Sequence, residues 1–129
     1  MFQVVETGLA RTPNVPLNGT VRAGALLFSS HIPKDPATAA VVQGDIAVQT
    51  RRMLANLEQS VEAAGGTLRD VTQVVVYLVD AKDFAGFNAV YREVFSDPYP
   101  SRSTVVVKEL LAPGMLIECL AYAVLGDPG

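Results

Sequence analysis

The segment Pro100–Val107, which reads PSRSTVVV, places an arginine at the start of an otherwise apolar strand. Arg102 is flanked by two serines and is followed, after Thr104, by three valines. A guanidinium here is either a surface charge at a strand end or a clamp for an anion, because its planar fork matches the two oxygens of a carboxylate. The rest of the chain has to distinguish these two interpretations.

Glu118 is a second unusual residue, because it is the one charged residue in the apolar segment MLIECLAYAVL. It either reaches solvent or Arg102 near a strand edge, or it lies in a partly dry cleft where a carboxylate can orient water. The last two strands suggest a hairpin around Ala112-Pro113-Gly114, with residues near 106 opposite residues near 118. We expect such a hairpin to place Arg102 and Glu118 on one sheet face, too far apart for simple pairing, so that both line a cleft.

Asn88 and His31 are further polar candidates. Asn88 comes four residues after Phe84 and three before Tyr91, so it lies beside an aromatic stripe, where it either bonds nearby backbone or faces a site. His31 is the only imidazole of the chain. It is either a hydrogen-bonded structural group or a local acid or base.

Composition argues against several classes of function. The net charge is −3 and the basic residues are scattered, which gives no reason to expect a nucleic-acid partner. One Cys and one His in a single chain cannot build a Cys/His metal cluster, so we expect no such metal site. No apolar run approaches the ~20 residues that span a bilayer, and the first residues lack a signal-peptide pattern. We therefore expect a cytoplasmic protein without a membrane partner.

Length and hydrophobic periodicity indicate one α+β domain over residues 1–129. Residues 45–64 carry an apolar stripe of helical period that stops at Gly65-Gly66, and a second helix follows Asp80 and runs to about Phe95. Apolar and β-branched runs predict five strands: residues 2–6, a strand centred on 25–29, residues 71–80, 101–110 and 115–125.

These elements predict the order β-β-α-β-α-β-β, in which a sheet carries two helices on one face. The last strand has no polar side, because Ile117, Cys119 and Ala121 alternate with Glu118, Leu120 and Tyr122. One of its faces can meet the helices. The other is predicted to meet another subunit, since an exposed apolar face of this size is unfavourable in water.

The chain resembles the RidA (YjgF/YER057c/UK114) family over essentially its whole length. PSRSTVVV with LIECLAYAV is similar to the family's C-terminal signature of Pro-small-Arg-small, a strand, and then hydrophobic-Glu. LLFSSHIP is similar to its Ser-Gly-Gln-Ile-Pro stretch, and DFAGFNAVYREVF to its Asn-containing helix. The resemblance implies a chorismate-mutase-like fold, a homotrimer, and active sites in the clefts between subunits.

The resemblance also implies an activity, which is hydrolysis of reactive enamines or imines to a 2-keto acid and ammonia without metal or cofactor. It favours the anion-clamp interpretation of Arg102, as the residue that holds the substrate carboxylate. It makes Glu118 the carboxylate that orients and activates water. The family's serine and asparagine correspond to Ser29 and Asn88.

Three positions depart from the family pattern. Thr104 stands where the family has Cys, Ser30-His31 stand where it has Gly-Gln, and Leu17 or Pro16 stands where it has a substrate-facing Tyr. The implied site therefore keeps the arginine and the glutamate but has a different wall. The residues expected to bind substrate are Ser29, Ser30, His31, Asn88, Thr104 and Leu17.

Three functions remain open on this basis. The first is a deaminase for a small carboxylate-bearing enamine or imine. The second is a deaminase for a larger catabolic enamine, such as an aminomuconate-like acid, because loss of the Tyr ring leaves room for a longer molecule. The third is a non-catalytic trimer that uses Arg102 to bind a small acid. We expect a preference for a substrate longer than 2-aminoacrylate.

Overall fold

The computed structural model describes residues 1–126, which form one six-stranded sheet with two helices on one face. The predicted α+β fold is therefore confirmed. The strands are Gln3–Val4 (β1), Thr20–Ala23 (β2), Leu26–His31 (β3), Val71–Leu78 (β4), Ser101–Val106 (β5) and Ile117–Val124 (β6). The helices are Ile46–Ala63 (α1) and Phe84–Val94 (α2).

The first helix, α1, follows its sequence pattern closely. Asp45 caps its N-terminus, because the Asp45 carboxylate accepts a 2.9 Å hydrogen bond from the backbone N–H of Val48. Gly65 ends it with φ +91°, a conformation that glycine adopts without steric cost. The predicted apolar stripe is buried against the sheet; its buried members are Ile46, Thr50, Met53, Leu54, Leu57 and Val61.

Residues 20–31 form a hairpin, and the prediction of a single strand centred on residues 25–29 is wrong. Ala23 pairs with Leu26 across a two-residue turn of Gly24 and Ala25. Gly24 adopts φ +60°, which two-residue hairpin turns require. Because the residues on both sides of Gly24 are largely apolar, this turn was not evident in the sequence. The structure therefore has one strand more than the predicted order.

The strand order is β1-β2-β3-β6-β4-β5, which overturns the predicted hairpin of the last two strands. β6 lies antiparallel between β3 and β4, whereas β5 pairs in parallel with the far side of β4. α2 is the crossover that a parallel β4–β5 pair needs. The connection after β5 then passes the end of β4, where Val107 N–H bonds Leu78 O and Val79 N–H bonds Leu116 O.

The two sides of the sheet have different neighbours. Cys119, Ala121 and their alternate neighbours on β6 are buried in the core beneath the helices. The opposite side, which we call the open face, carries no helix from residues 1–126 and is largely apolar, as the alternation in the last strand predicted. Its members include Leu26, Phe28, Ser30, Tyr77, Val105, Glu118, Leu120, Tyr122 and Val124.

Neither helix of residues 1–126 is long and apolar enough to cross a membrane. In the same residues no group of three or more His, Cys, Asp or Glu side chains is placed to hold a metal ion.

Candidate functional site

Arg102 lies at the start of β5 on the helix-facing side of the sheet, because it pairs with the core residue Val74. Its Nη2 donates a 2.7 Å hydrogen bond to Oδ1 of Asn88 on α2. Two of the residues that the sequence singled out are thus in direct contact, and α2 positions the guanidinium of the edge strand.

Three aromatic rings of α2 surround this guanidinium. The Arg102 Cζ lies 4.6 Å from the ring centroid of Tyr91, 4.9 Å from that of Phe87 and 5.8 Å from that of Phe84. Such cation–π contacts each contribute about 0.5–2 kcal/mol, depending on desolvation. The one ion pair formed within residues 1–126 lies elsewhere. The rings and the amide therefore orient the charge of Arg102, but no carboxylate in this part of the chain neutralises it.

An open pocket of about 410 Å³ adjoins the guanidinium. Its lining residues are Asn88, Tyr91, Arg92, Tyr99, Pro100 and Arg102. The Tyr91 hydroxyl is buried without a hydrogen-bond partner among the described residues. Burial raises the pKa of Tyr91 to about 12, although the positive charge of Arg102 opposes this rise. The Tyr91 phenol is therefore a protonated donor near neutral pH.

Thr104 lies two residues beyond Arg102 on the same side of β5, where it pairs with Val76. Its hydroxyl oxygen is buried and has no hydrogen-bond partner within residues 1–126. A buried polar group without a partner costs about 1–3 kcal/mol, so a ligand that bonds it would recover this free energy. Arg102, Asn88 and Thr104 form one group, which we call the clamp group.

Glu118 lies on the open face, and the expectation that it shares a face with Arg102 is wrong. Through β4, Glu118 pairs with Tyr77 whereas Arg102 pairs with Val74. Tyr77 and Val74 are an odd number of residues apart, so their side chains point to opposite sides of the sheet. The sheet therefore separates Glu118 from the clamp group within one chain.

The surroundings of Glu118 are apolar, and burial raises the pKa of its carboxyl above the ordinary value. Ser30 is on the same face, because it pairs with Leu120, the next open-face residue of β6 after Glu118. A shallow pocket of about 180 Å³ reaches from Ser30 to Phe28, Leu120 and Tyr122. Glu118 and Ser30 form the second group of candidate residues.

The remaining candidates lie away from both groups. Ser29 is buried on the helix-facing side and its hydroxyl donates a 3.4 Å hydrogen bond to Ala121 O. His31 is buried on the same side, opposite Cys119. Leu17 is 58% exposed in the loop before β2. The residues that the sequence singled out are therefore not all brought together within a single chain.

His31 is buried without a hydrogen-bond partner for Nε2 among the described residues. Burial, and secondarily the positive charge of Lys34, lowers the pKa of His31 from its ordinary value of 6.5 to about 3. The imidazole is therefore neutral near pH 7. Between pH 6.5 and 3 the unfolded chain binds a proton at His31 that the folded chain excludes, so folding stability falls as pH falls through this range.

We expect the pH dependence of stability to differ between the wild type and His31→Gln. From pH 7 to pH 5 the wild type should lose about 2 kcal/mol more unfolding free energy than the variant, because glutamine does not titrate. Urea unfolding at both pH values, in phosphate-free buffer and at one protein concentration, measures this difference. Parallel pH profiles for the two proteins would show that His31 keeps an ordinary pKa when folded.

Sequence reasoning did not identify the aromatic environment of Arg102. The spacing of Phe87 and Tyr91 on α2 predicts a buried stripe, and both residues are indeed buried. Their contact with Arg102 depends on the parallel placement of β5 beside β4, which the predicted hairpin did not include. Tyr99, which stacks on Tyr91 with ring centroids 6.4 Å apart, was missed for the same reason.

Comparison with known proteins gives consistent matches along the chain. The family model described as Endoribonuclease L-PSP matches residues 8–125. A RutC family protein of Pyrococcus horikoshii is 43% identical over 124 residues, which cover 95% of this chain and 98% of that protein.

Solved structures match equally well. RidA from the Antarctic bacterium Psychrobacter superposes with a TM-score of 0.87 at 31% identity, covering 95% of this chain and 99% of that one. E. coli TdcF with bound serine superposes with a TM-score of 0.85 at 32% identity, covering 96% and 99% of the two chains. Sequence comparison and structure comparison thus both match this chain over nearly its whole length.

Proposed function

The chain belongs to the Endoribonuclease L-PSP family, the family of YjgF and RidA, and from this premise we propose that it hydrolyses a carboxylate-bearing enamine or imine to a keto acid and ammonia. The observation that carries the proposal is the state of Arg102. Its guanidinium is held by Asn88 and by aromatic rings, adjoins a pocket, and has no ion-pair partner within residues 1–126.

In this proposal the clamp group binds the substrate carboxylate. The bond to Asn88 uses one part of the Arg102 fork, which leaves further N–H donors for two parallel bonds to a carboxylate. The unpartnered Thr104 hydroxyl lies on the same side of β5 and can donate a further bond. The structure of E. coli TdcF with bound serine supports a carboxylate ligand, since serine carries one.

Glu118 would supply the proton transfers. An imine carbon is already electrophilic, so hydrolysis needs only an oriented water molecule and a group that moves protons. Glu118 would take a proton as water adds to the C=N carbon and pass it to the nitrogen, which gives a carbinolamine. It would then take the proton of the new hydroxyl and pass it to the nitrogen, so that the C=O bond forms as the C–N bond breaks and ammonia leaves. The raised pKa of Glu118 suits this exchange, because a base is most effective when its pKa approaches the working pH.

We further propose that the complete site forms between subunits of a homotrimer. The clamp group and Glu118 lie on opposite sides of the sheet in one chain, so a shared substrate would have to contact them on neighbouring subunits. The apolar open face supports this assembly. Leu26 and Val124 are 48% and 47% exposed in the single chain, and a neighbouring copy would cover them.

A longer acid than 2-aminoacrylate is the second candidate substrate. Leu17 is exposed in its loop and has neither the ring nor the hydroxyl of the tyrosine that the family pattern implies there. Its loss would leave room at one end of the site and would remove a hydrogen bond to a small substrate. We therefore expect the specificity constant to rise with the length of the substrate side chain.

Imines generated in the assay mixture by an amino-acid oxidase test both the proposed hydrolysis and the proposed preference for a longer substrate. With the imine from alanine and with imines from longer amino acids, we expect the protein to accelerate ammonia and keto-acid release over the spontaneous rate. A kcat/KM that rises with chain length would support the longer substrate. A kcat/KM highest for the alanine imine would support the small one. No acceleration with any imine, together with saturable binding of keto acids, would leave the non-catalytic binding function.

A further inference from the structure

A small cavity of about 190 Å³ lies between the N-terminal segment and the hairpin of β2 and β3. Residues 4–9 form one wall, and Thr20, Ser30 and His31 form another. Arg11 and Lys34 complete the lining, with Glu6 as the one carboxylate. Neither Arg102 nor Glu118 lines this cavity, and of the two candidate groups only Ser30 borders it, so the proposed hydrolysis does not account for its cations.

Two buried polar atoms of the lining have no hydrogen-bond partner within residues 1–126. They are Nε2 of His31 and Oγ1 of Thr20, and their residues are 4% and 3% exposed. Leaving such atoms unbonded costs about 1–3 kcal/mol each. The neutral imidazole and the hydroxyl can each donate a hydrogen bond to one acceptor. Their chemistry therefore calls for a ligand with hydrogen-bond acceptors.

The lining contains two cations and one carboxylate, which favours a negatively charged ligand. Lys34 Nζ donates a 2.7 Å hydrogen bond to Ala10 O, and Arg11 Nη2 donates 2.8 Å bonds to Leu17 O and to Oδ1 of Asn18. These acceptors are neutral, and neither cation forms an ion pair within the described residues, Glu6 included. Burial, and secondarily the positive charge of Arg11, lowers the pKa of Lys34 from its ordinary value.

We propose that this cavity binds a small oxyanion, a carboxylate or inorganic phosphate, through Arg11, Lys34, His31 and Thr20. An oxyanion accepts the two unused hydrogen bonds and neutralises the neighbouring cations in one place. The cavity volume is sufficient for an ion of the size of acetate or phosphate. The inference is independent of the proposed hydrolysis.

The single histidine makes the test direct, because His31 is the only source of an imidazole signal. Acetate and inorganic phosphate are added separately to ¹⁵N-histidine-labelled protein at constant ionic strength, with chloride as the reference salt. We expect the His31 resonances to shift saturably with at least one of the two probes, and not with chloride. The probe that saturates at the lower concentration identifies the preferred anion.

Variants decide whether the shift reports this cavity. Lys34→Met should weaken the binding about ten-fold or more, because a charge-assisted hydrogen bond is lost. Arg11→Met removes the other cation at an exposed position and should also weaken binding if Lys34→Met fails to fold. Lys82→Met, which removes an equal charge in an exposed turn, should bind as the wild type does. Shifts that grow linearly for all salts, or cavity variants that bind as tightly as Lys82→Met, would overturn the proposal.

Discussion

Arg102→Ala is expected to abolish imine hydrolysis while the chain stays folded. The variant loses a charge-assisted contact to the substrate carboxylate, and each such hydrogen bond contributes about 1.5–3 kcal/mol. Two parallel bonds correspond to a loss in kcat/KM of at least about 100-fold. Arg102→Lys should not restore the rate, because an ammonium cannot reproduce a planar two-bond contact or the stacking on Tyr91 and Phe87.

Arg92→Ala is the matched control for this variant. Arg92 lines the same pocket as Arg102 but is exposed on α2. Its replacement removes an equal charge, so a general electrostatic effect would slow both variants alike. Circular dichroism of both proteins verifies folding. Wild-type turnover by a folded Arg102→Ala protein would exclude the clamp.

The second large effect is expected for Glu118→Gln, which should keep affinity for a keto acid and lose turnover. An amide resembles the carboxyl in shape but accepts a proton poorly, and a positioned general base contributes about 10²- to 10⁴-fold to a rate. Glu109→Gln is the control, because Glu109 is an exposed carboxylate in the loop between β5 and β6. Keto-acid binding by calorimetry and turnover of the imine are measured on both proteins.

The pH profile gives an independent readout for Glu118. Burial raises the pKa of this carboxyl, and a base works only in its ionised form. The wild-type rate should therefore fall as pH falls through this raised pKa, and the residual rate of Glu118→Gln should lack that acid limb. An acid limb of the same midpoint in the variant would assign it to another group.

Mixed assemblies of the two inactive variants test the placement of the site between subunits. If each site takes Arg102 from one subunit and Glu118 from the next, every mixed trimer contains one intact site. Equal co-expression of Arg102→Ala and Glu118→Gln chains should then recover about a quarter of wild-type activity. Light scattering should give a trimer mass for the wild type. A monomer mass, or a mixture as inactive as its components, would contradict the intersubunit site.

Local elements and family could be predicted from the sequence because both depend on residue types at short spacing. The helical stripe of α1, the stop at Gly65 and the buried strand β4 follow from periodicities of 3.6 and 2 residues. The alternation of β6 correctly predicted one side facing the core and one apolar open side. The motif around Arg102 and Glu118 was sufficient to indicate the family to which the chain belongs.

The pairing of strands was decided by the tertiary structure. A short turn-like segment such as Ala112-Pro113-Gly114 suggests a hairpin, yet β5 crosses over to pair in parallel with β4, and β6 inserts between β3 and β4. Sheet partners are joined by backbone hydrogen bonds, which are nearly the same for every residue type. The sequence therefore contains little information about which strand lies beside which.

The geometry of the candidate site depends on that pairing. In the sequence, Arg102 and Glu118 stand out as two charged residues on apolar strands. Their pairing partners on β4, Val74 and Tyr77, place them on opposite sides of the sheet. The contact of Arg102 with Asn88 and Tyr91 likewise exists only because α2 packs beside β5. Sequence determined which residues carry chemistry, because residue type sets charge and proton affinity. Tertiary structure decided which of them meet, because one strand's register, a long-range property, fixes the face of every side chain on it.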